Sequence, residues 1–187
     1  MKTVYPNICA LVLLGGCVTH QPDHFYVLEA QPGGVRAAAS QFSRQITLRV
    51  TVPSLDDRAE MILTTASGVA IMDHERWAAP LADLVTATLA QDLERRRSDV
   101  IVLPKSADRA GIPLIRIAVE IDRLNARLGQ PLSIEAHWRV TDGGRETLGR
   151  DTFVSPQQPQ SYAEVATALS AGIGLLADRL AREIPAA

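Results

Sequence analysis

The sequence is poor in the residues that crosslink or catalyse. It has two cysteines, Cys9 and Cys17, and both lie close to the N-terminus of the 187-residue chain. The part of the chain after Cys17 therefore has no thiol for a disulfide, a thiolate metal site or a cysteine nucleophile. Its stability must come from a hydrophobic core.

The sequence also lacks the short motifs of common active sites. No G-x-S-x-G, H-E-x-x-H, G-x-x-x-x-G-K or G-x-G-x-x-G pattern occurs. Of the four histidines, only His74 stands in a metal-competent group, Asp73-His74-Glu75. Adjacent residues of an extended segment point to opposite sides, so we interpret this group as a solvated turn before a helix. The sequence predicts no enzyme, no cofactor and no metal site.

Charge and hydropathy exclude two further classes of protein. The formal net charge is -2, and the basic residues are scattered among acidic ones, so no basic footprint for nucleic acid is present. After residue 16, no apolar run approaches the roughly 20 residues that span a bilayer. A lipid anchor is the remaining form of membrane attachment.

The N-terminal stretch has the layout of a secretory signal. Lys2 precedes an apolar run from Ile8 to Leu14, and the small residues Gly15 and Gly16 precede Cys17. Leu14-Gly15-Gly16-Cys17 resembles the bacterial lipobox, which implies cleavage before Cys17 and acylation of that cysteine. A plain signal peptide, or a buried apolar N-terminus with an incidental thiol, remains the alternative. We expect a signal peptide over 1–16, a lipidated tether over 17–24 and a folded domain over 25–187.

The folded part is rich in predicted strands. Apolar residues alternate with polar ones over 46–52, 115–121 and 134–140, the period of half-buried strands. Two apolar runs around Ser67-Gly68 predict a hairpin, and Val100 to Leu103 predicts a short strand. Turn residues at 125–130 and at Asp142-Gly143-Gly144 predict three consecutive antiparallel strands.

Two amphipathic helices complete the predicted fold. Pro80 suits the first turn of a helix, with apolar residues recurring every three or four positions up to Leu93. Arg95, Arg96 and Arg97 are interpreted as its charged end rather than as a binding patch. Ser161 and Glu164 predict a capping box before a second, longer helix. The fold class is therefore α/β of the α+β kind: a single compact domain with a mainly antiparallel sheet packed by two helices.

Arg76, Trp77 and Pro80 form the most informative short motif of the folded part. A tryptophan just before a helix that starts at a proline can fix the entry of that helix by burying its ring. An adjacent arginine can stack on an aromatic ring or pair with an acid. We predict a helix-anchoring role, and the alternative is that Arg76 or Trp77 builds a partner or self-assembly surface.

The order of these landmarks resembles the ABC-type transport auxiliary lipoproteins of the PqiC kind. The resemblance covers essentially the whole chain after the signal and rests on the following segments: Cys17; Phe25-Tyr26-Val27-Leu28; Ile46 to Val50 with Val52-Pro53; Leu55-Asp56-Asp57-Arg58; Arg76 to Leu81; Val119-Glu120-Ile121; Glu135 to Val140; and the helix after Ser161-Tyr162.

The resemblance implies an outer-membrane lipoprotein that faces the periplasm. Its implied partners are a periplasmic MCE-domain protein and an inner-membrane transporter component, in lipid trafficking between membranes. It also implies self-association and no catalysis. Val18, directly after the cysteine, favours export to the outer membrane. Two other classes remain open: a lipid carrier with an acyl-chain cavity between sheet and helices, and, less favoured, an envelope hydrolase.

Overall fold

A computed structural model describes residues 21–33, 44–103 and 114–185. These residues form one compact α+β domain, as predicted. In chain order the elements are β1 (His24–Tyr26), β2 (Arg44–Thr51), β3 (Glu60–Thr65), β4 (Gly68–Trp77), α1 (Leu81–Arg96), β5 (Val100–Leu103), β6 (Leu114–Asn125), β7 (Ser133–Asp142), β8 (Arg145–Val154) and α2 (Tyr162–Glu183).

The larger sheet has five strands in the order β5-β2-β6-β7-β8. The predicted meander of β6, β7 and β8 is confirmed as antiparallel. Gly143 and Gly144 connect its last two strands with φ angles of 54° and 93°, the left-handed pair that a tight hairpin turn needs. β2 lies parallel to both β5 and β6, and such pairing requires long connections; the chain from β2 to β5 passes through β3, β4 and α1.

The smaller sheet has the order β1-β4-β3 and contains the predicted hairpin, which turns at Gly68. The expectation of a solvated turn at Asp73-His74-Glu75 is wrong, because β4 continues to Trp77 and Glu75 is only 9% exposed. From Ile71 to Arg76 the chain of β4 advances by five residues, whereas the paired segment of β3, between Ile62 and Glu60, covers only two. This irregularity breaks the alternation that reveals a strand in a sequence.

Both helices pack on one face of the five-stranded sheet. That face presents apolar residues such as Ile46, Ile117 and Ile134, all buried together with Leu89 of α1 and Leu176 of α2. A Cβ added to Gly172 would lie 2.8 Å from Cδ1 of Ile134, so this glycine allows α2 to approach the sheet closely. The opposite face of the sheet presents exposed residues, among them Arg49, Arg116 and Glu120.

Side chains cap the N-termini of both helices: Asp57 at α1, and Ser161 at α2. The N–H of Ala82 donates to Oδ1 of Asp57 at 3.1 Å, which satisfies one free donor of α1. Ser161 caps α2 as predicted, accepting from the N–H of Glu164 at 3.3 Å. The Glu164 carboxylate accepts from the N–H of Gln160, one residue earlier than in the standard capping box.

Candidate functional site at the base of the tether

Cys17, the predicted lipid-attachment residue, lies outside the described residues. Asp23 follows it by six positions in the sequence. An extended chain spans at most about 3.3–3.6 Å per residue, so the two are at most about 22 Å apart. If Cys17 carries the lipid, the contacts of Asp23 mark the point where the tether meets the folded domain.

An ion-pair chain joins Asp23 to the smaller sheet. Its carboxylate lies 2.9 Å from Nε of Arg76 and 3.1 Å from Nδ1 of His74. Arg76 also pairs with Glu60 at 3.2 Å, and Glu60 with Arg58 at 3.0 Å. The register explains this arrangement, because Arg76 stands between β1 and Glu60 of β3. The start of the folded domain is therefore tied to both strands of the hairpin.

A second cluster, centred on Glu75, lies on the neighbouring position of β4. Oε2 of Glu75 accepts a 2.6 Å hydrogen bond from the hydroxyl of Tyr26, and Oε1 lies 3.1 Å from Nδ1 of His24. Both partners belong to β1, which pairs with β4 in parallel. The short first strand is thus fastened by side chains as well as by its backbone.

The pKa values of Glu75 and Tyr26 shift in opposite directions. Burial works to raise the pKa of Glu75, but the hydrogen bonds from Tyr26 and His24 outweigh it, and the pKa lies below its usual range. Burial and the neighbouring Glu75 carboxylate raise the pKa of Tyr26 to about 12. The stable state at neutral pH is a Glu75 carboxylate that accepts a hydrogen bond from a neutral Tyr26.

Trp77 and Pro80 occupy the junction between β4 and α1. Trp77 is 4% exposed and belongs to the core, where it lines a cavity of about 10 Å³ together with Leu81. Pro80 is the N-cap of α1, and its carbonyl accepts the first helical hydrogen bonds. These positions suit the predicted helix-anchoring role, whereas the role of Arg76, Trp77 and Pro80 in assembly stays a prediction.

The arginine triplet ends α1 as predicted, but Arg96 and Arg97 are buried. Arg97 binds Asp99 through two nitrogens at 2.6 and 2.7 Å, and it donates to the carbonyls of Ala181, Ile184 and Pro185 at the end of α2. Arg96 donates to Asp92, Asp178 and the carbonyl of Gly174. A guanidinium group is well suited to cap the free carbonyls of a helix C-terminus. We call Arg96 and Arg97 with these partners the helix-end clamp.

A fourth charged cluster, which was not predicted from the sequence, lies on the exposed face of the larger sheet. Glu120, Asp122 and His137 hold their possible ligand atoms within 4.8 Å of one another. His137 lies 2.9 Å from Asp122 and 3.3 Å from Glu120, and Asp122 also accepts from Arg150 at 3.1 Å. The signal that could have found it is the spacing of Glu120 and Asp122 along one strand, once His137 is placed opposite Glu120. Residue types alone would suit a metal ion, but a histidine and an arginine already bind these carboxylates.

Comparison with solved structures identifies the fold. A crystal structure of an uncharacterised protein aligns over 88% of this chain and 100% of its own, with a TM-score of 0.70 and 18% identity. Protein XCC0632 from Xanthomonas campestris, of the DUF330 family, aligns over 84% of this chain and 92% of its own, with a TM-score of 0.62 and 14% identity. At these identities the similarity shows the fold alone. No curated protein sequence matches the chain.

The family follows from the sequence. The profile of the ABC-type transport auxiliary lipoprotein component family matches residues 26–181. The chain belongs to this family, as the resemblance in the sequence predicted, and it is thus an auxiliary lipoprotein component of ABC-type transport. Membership in a lipoprotein family indicates a membrane-anchored place in the cell envelope. None of the helices in the described part of the chain has the length and apolar character needed to cross a membrane.

Proposed function

We propose that this chain is an outer-membrane lipoprotein, anchored through Cys17, that docks the periplasmic part of an MCE-type lipid transporter to the outer membrane without catalysis of its own. The observation that carries the proposal is the family match over residues 26–181, which makes the chain a transporter component. The ion pairs of Asp23 support it, because they hold the folded domain within a short tether of Cys17.

The smaller sheet offers the surface that we propose for the partner. Phe25, Val69 and Ile71 lie in its strands with 65%, 53% and 43% of their surfaces exposed. Large apolar side chains that stand exposed on one sheet are typical of protein contact sites. Arg76 pairs in register with Phe25 and adds a charge that can orient a partner. We call Phe25, Val69, Ile71 and Arg76 the proposed docking surface.

In the described part of the chain, the cavity between the smaller sheet and the helices is too small for an acyl chain. The cavity lined by Trp77, Leu81 and Leu169, between the smaller sheet and the helices, has a volume of about 10 Å³. A space of this size holds about one water molecule. Carriage of an acyl chain there would require the two helices to separate from the sheet. The docking role needs no such movement.

Co-purification tests the proposal. The full-length chain, tagged at its C-terminus and extracted from the envelope in a mild detergent, is expected to bring down the MCE-domain protein and the inner-membrane transporter component. Ile71→Glu should reduce their recovery because it places a charge in the docking surface. Val154→Glu is the matched control, since Val154 is 51% exposed on β8 of the other sheet. Failure to recover either partner with the unaltered chain would contradict the proposal.

Self-association is the second part of the proposal. We propose that the exposed apolar residues of the smaller sheet also bring copies of the chain together at the membrane. The mass of the detergent-solubilised protein should then be a multiple of the chain mass. A single-chain mass at every protein concentration tested would refute self-association and leave the docking role standing.

A further inference from the structure

The exposed face of the five-stranded sheet contains a groove that the docking role does not use. The groove has a volume of about 310 Å³ and lies over the middle of β2, β6 and β7. Its floor is Ala118, which stands between Arg49 of β2 and Arg139 of β7 in the register of the strands. Neighbouring strands are about 4.8 Å apart, so the two arginine backbones flank a gap of about 10 Å with only a methyl group in it.

Arg49 and Arg139 differ in how readily they can bind a ligand in the groove. Among the described residues, no carboxylate lies within ion-pair distance of Arg49. Arg139 pairs with Glu146 through Nε at 3.1 Å, and both of these side chains are well exposed. An exposed ion pair is worth at most about 1 kcal/mol, so Arg139 can turn toward a ligand at little cost. The first row of the groove is therefore cationic.

The next row of the groove has the opposite charge. Glu120 lies two residues beyond Ala118 on β6, on the same side of the sheet, and it also lines the groove. Two residues along a strand correspond to about 6.6–6.8 Å. His137 faces Glu120 at 3.3 Å, and Thr51 is its neighbour on β2. The Glu120 side chain is 62% exposed and Arg150 binds Asp122 rather than Glu120, so a ligand can still reach this carboxylate. A cationic row therefore adjoins an accessible carboxylate at a distance that matches a small dipolar molecule.

We infer that this groove binds the zwitterionic headgroup of a phospholipid, with the phosphate between Arg49 and Arg139 and the ammonium toward Glu120. A guanidinium group binds phosphate through two parallel hydrogen bonds, and a carboxylate is the natural partner of an ammonium. Leu148, at the rim of the groove, provides an apolar contact for the first carbons beyond the headgroup.

The inference rests on the proposed function for its biological meaning, because it names the lipid class that a transport component would meet. Its chemistry is independent of the transporter. Binding is therefore measured on the full-length chain alone, in a nonionic detergent. A negative result there would leave the docking role untouched, and a failed co-purification would leave the groove untouched.

Calorimetric titration with three probes tests the site: short-chain phosphatidylethanolamine, short-chain phosphatidic acid and inorganic phosphate. Arg49→Gln should lower the affinity for both lipids by about tenfold or more, which corresponds to about 1.4 kcal/mol. Glu120→Gln should lower the affinity for phosphatidylethanolamine by a similar factor and leave the affinity for phosphatidic acid unchanged. Arg123→Gln is the matched control, because it removes an exposed arginine of the same sheet outside the groove.

A filling variant tests the place of binding. Ala118→Leu should abolish lipid binding, since the larger side chain occupies the floor between the two arginines. Unchanged circular dichroism verifies that the fold survives, as expected for an exposed position. Lipid binding that persists in both Ala118→Leu and Arg49→Gln would overturn the inference. Inorganic phosphate that binds as tightly as either lipid would overturn the headgroup assignment. An equal loss of affinity for both lipids in Glu120→Gln would overturn it as well.

Discussion

Two arginine clusters at different places in the fold have different surroundings. In the helix-end clamp, the side chains of Arg97 and Arg96 are 4% and 6% exposed, and they bind backbone carbonyls of α2 as well as carboxylates. At the base of the tether, Arg76 and Asp23 are 30% and 32% exposed, and the partners of Arg76 are side chains of the surface. The clamp closes the ends of two helices, whereas the tether base leaves its charges within reach of a partner. We therefore expect the clamp to determine stability and the tether base to determine assembly.

Breaking the clamp should have the largest effect on stability. Arg97→Met removes the donors to the carbonyls of Ala181, Ile184 and Pro185, at and just beyond the C-terminus of α2, and it removes the bidentate partner of Asp99. Loss of one member of a buried ion pair costs about 3–5 kcal/mol. Denaturant unfolding measures the difference. Arg95→Met, in the same turn but exposed, should cost less than about 1 kcal/mol, and equal losses for the two variants would contradict the distinction between buried and exposed arginines.

The Glu75 cluster should have an intermediate effect. Glu75→Gln keeps the shape of the side chain but removes the charge that binds Tyr26 and His24. Hydrogen bonds to charged groups contribute about 1.5–3 kcal/mol, and we expect a loss of about 1–2 kcal/mol in the free energy of unfolding. Glu135→Gln, at an exposed pair with Arg123, is the control and should be close to neutral. The loss in Glu75→Gln should shrink as the pH falls through the lowered pKa of Glu75, because the wild type then loses the same charge.

Tyr26 gives the same cluster a second pH dependence, at the alkaline end. The folded pKa of about 12 lies above the ordinary value of 10.0, so the protonated tyrosine contributes stability below pH 10. This contribution disappears as the pH rises from about 10 to about 12. Tyr26→Phe should therefore be less stable than the wild type at neutral pH, and the difference should vanish near pH 12. A difference that stays constant over this range would show that Tyr26 titrates normally.

Arg76 should have the smallest effect on stability and a clear effect on assembly. Its ion pairs with Asp23 and Glu60 are partly exposed, so Arg76→Gln should cost less than about 1 kcal/mol, and high salt should abolish the cost. Partner recovery in the co-purification should nevertheless fall. Unchanged recovery together with a large loss of stability would reverse the roles that we give to the two arginine clusters.

The parts of the fold that follow from local pattern were predictable from the sequence. The meander of β6, β7 and β8 follows from alternation and from Gly143-Gly144, and α2 follows from its apolar period and Ser161. The parallel pairing of β2 with β5 and β6 was not predictable, because it joins segments that are far apart in the sequence. The irregular register of β4 hid a strand in what the pattern showed as a turn.

The charged sites were harder to predict than the fold for a related reason. The sequence shows the arginines at 95–97 but not their burial, which depends on the carbonyls of a helix some 80 residues away. Glu120, Asp122 and His137 come together only when β6 and β7 pair. Arg76 was singled out because of its neighbours Trp77 and Pro80, yet its partners Asp23 and Glu60 lie on other strands or beside them.

The central claim is that this domain works at a membrane to which Cys17 fixes it. The most direct measurement is the distribution of the full-length chain between membrane and soluble fractions, for the wild type and for Cys17→Ser, in cells that lack the transporter partners. We predict that the wild type is recovered with the outer membrane and that Cys17→Ser is not. Recovery of Cys17→Ser with the outer membrane in the absence of the partners would contradict the account.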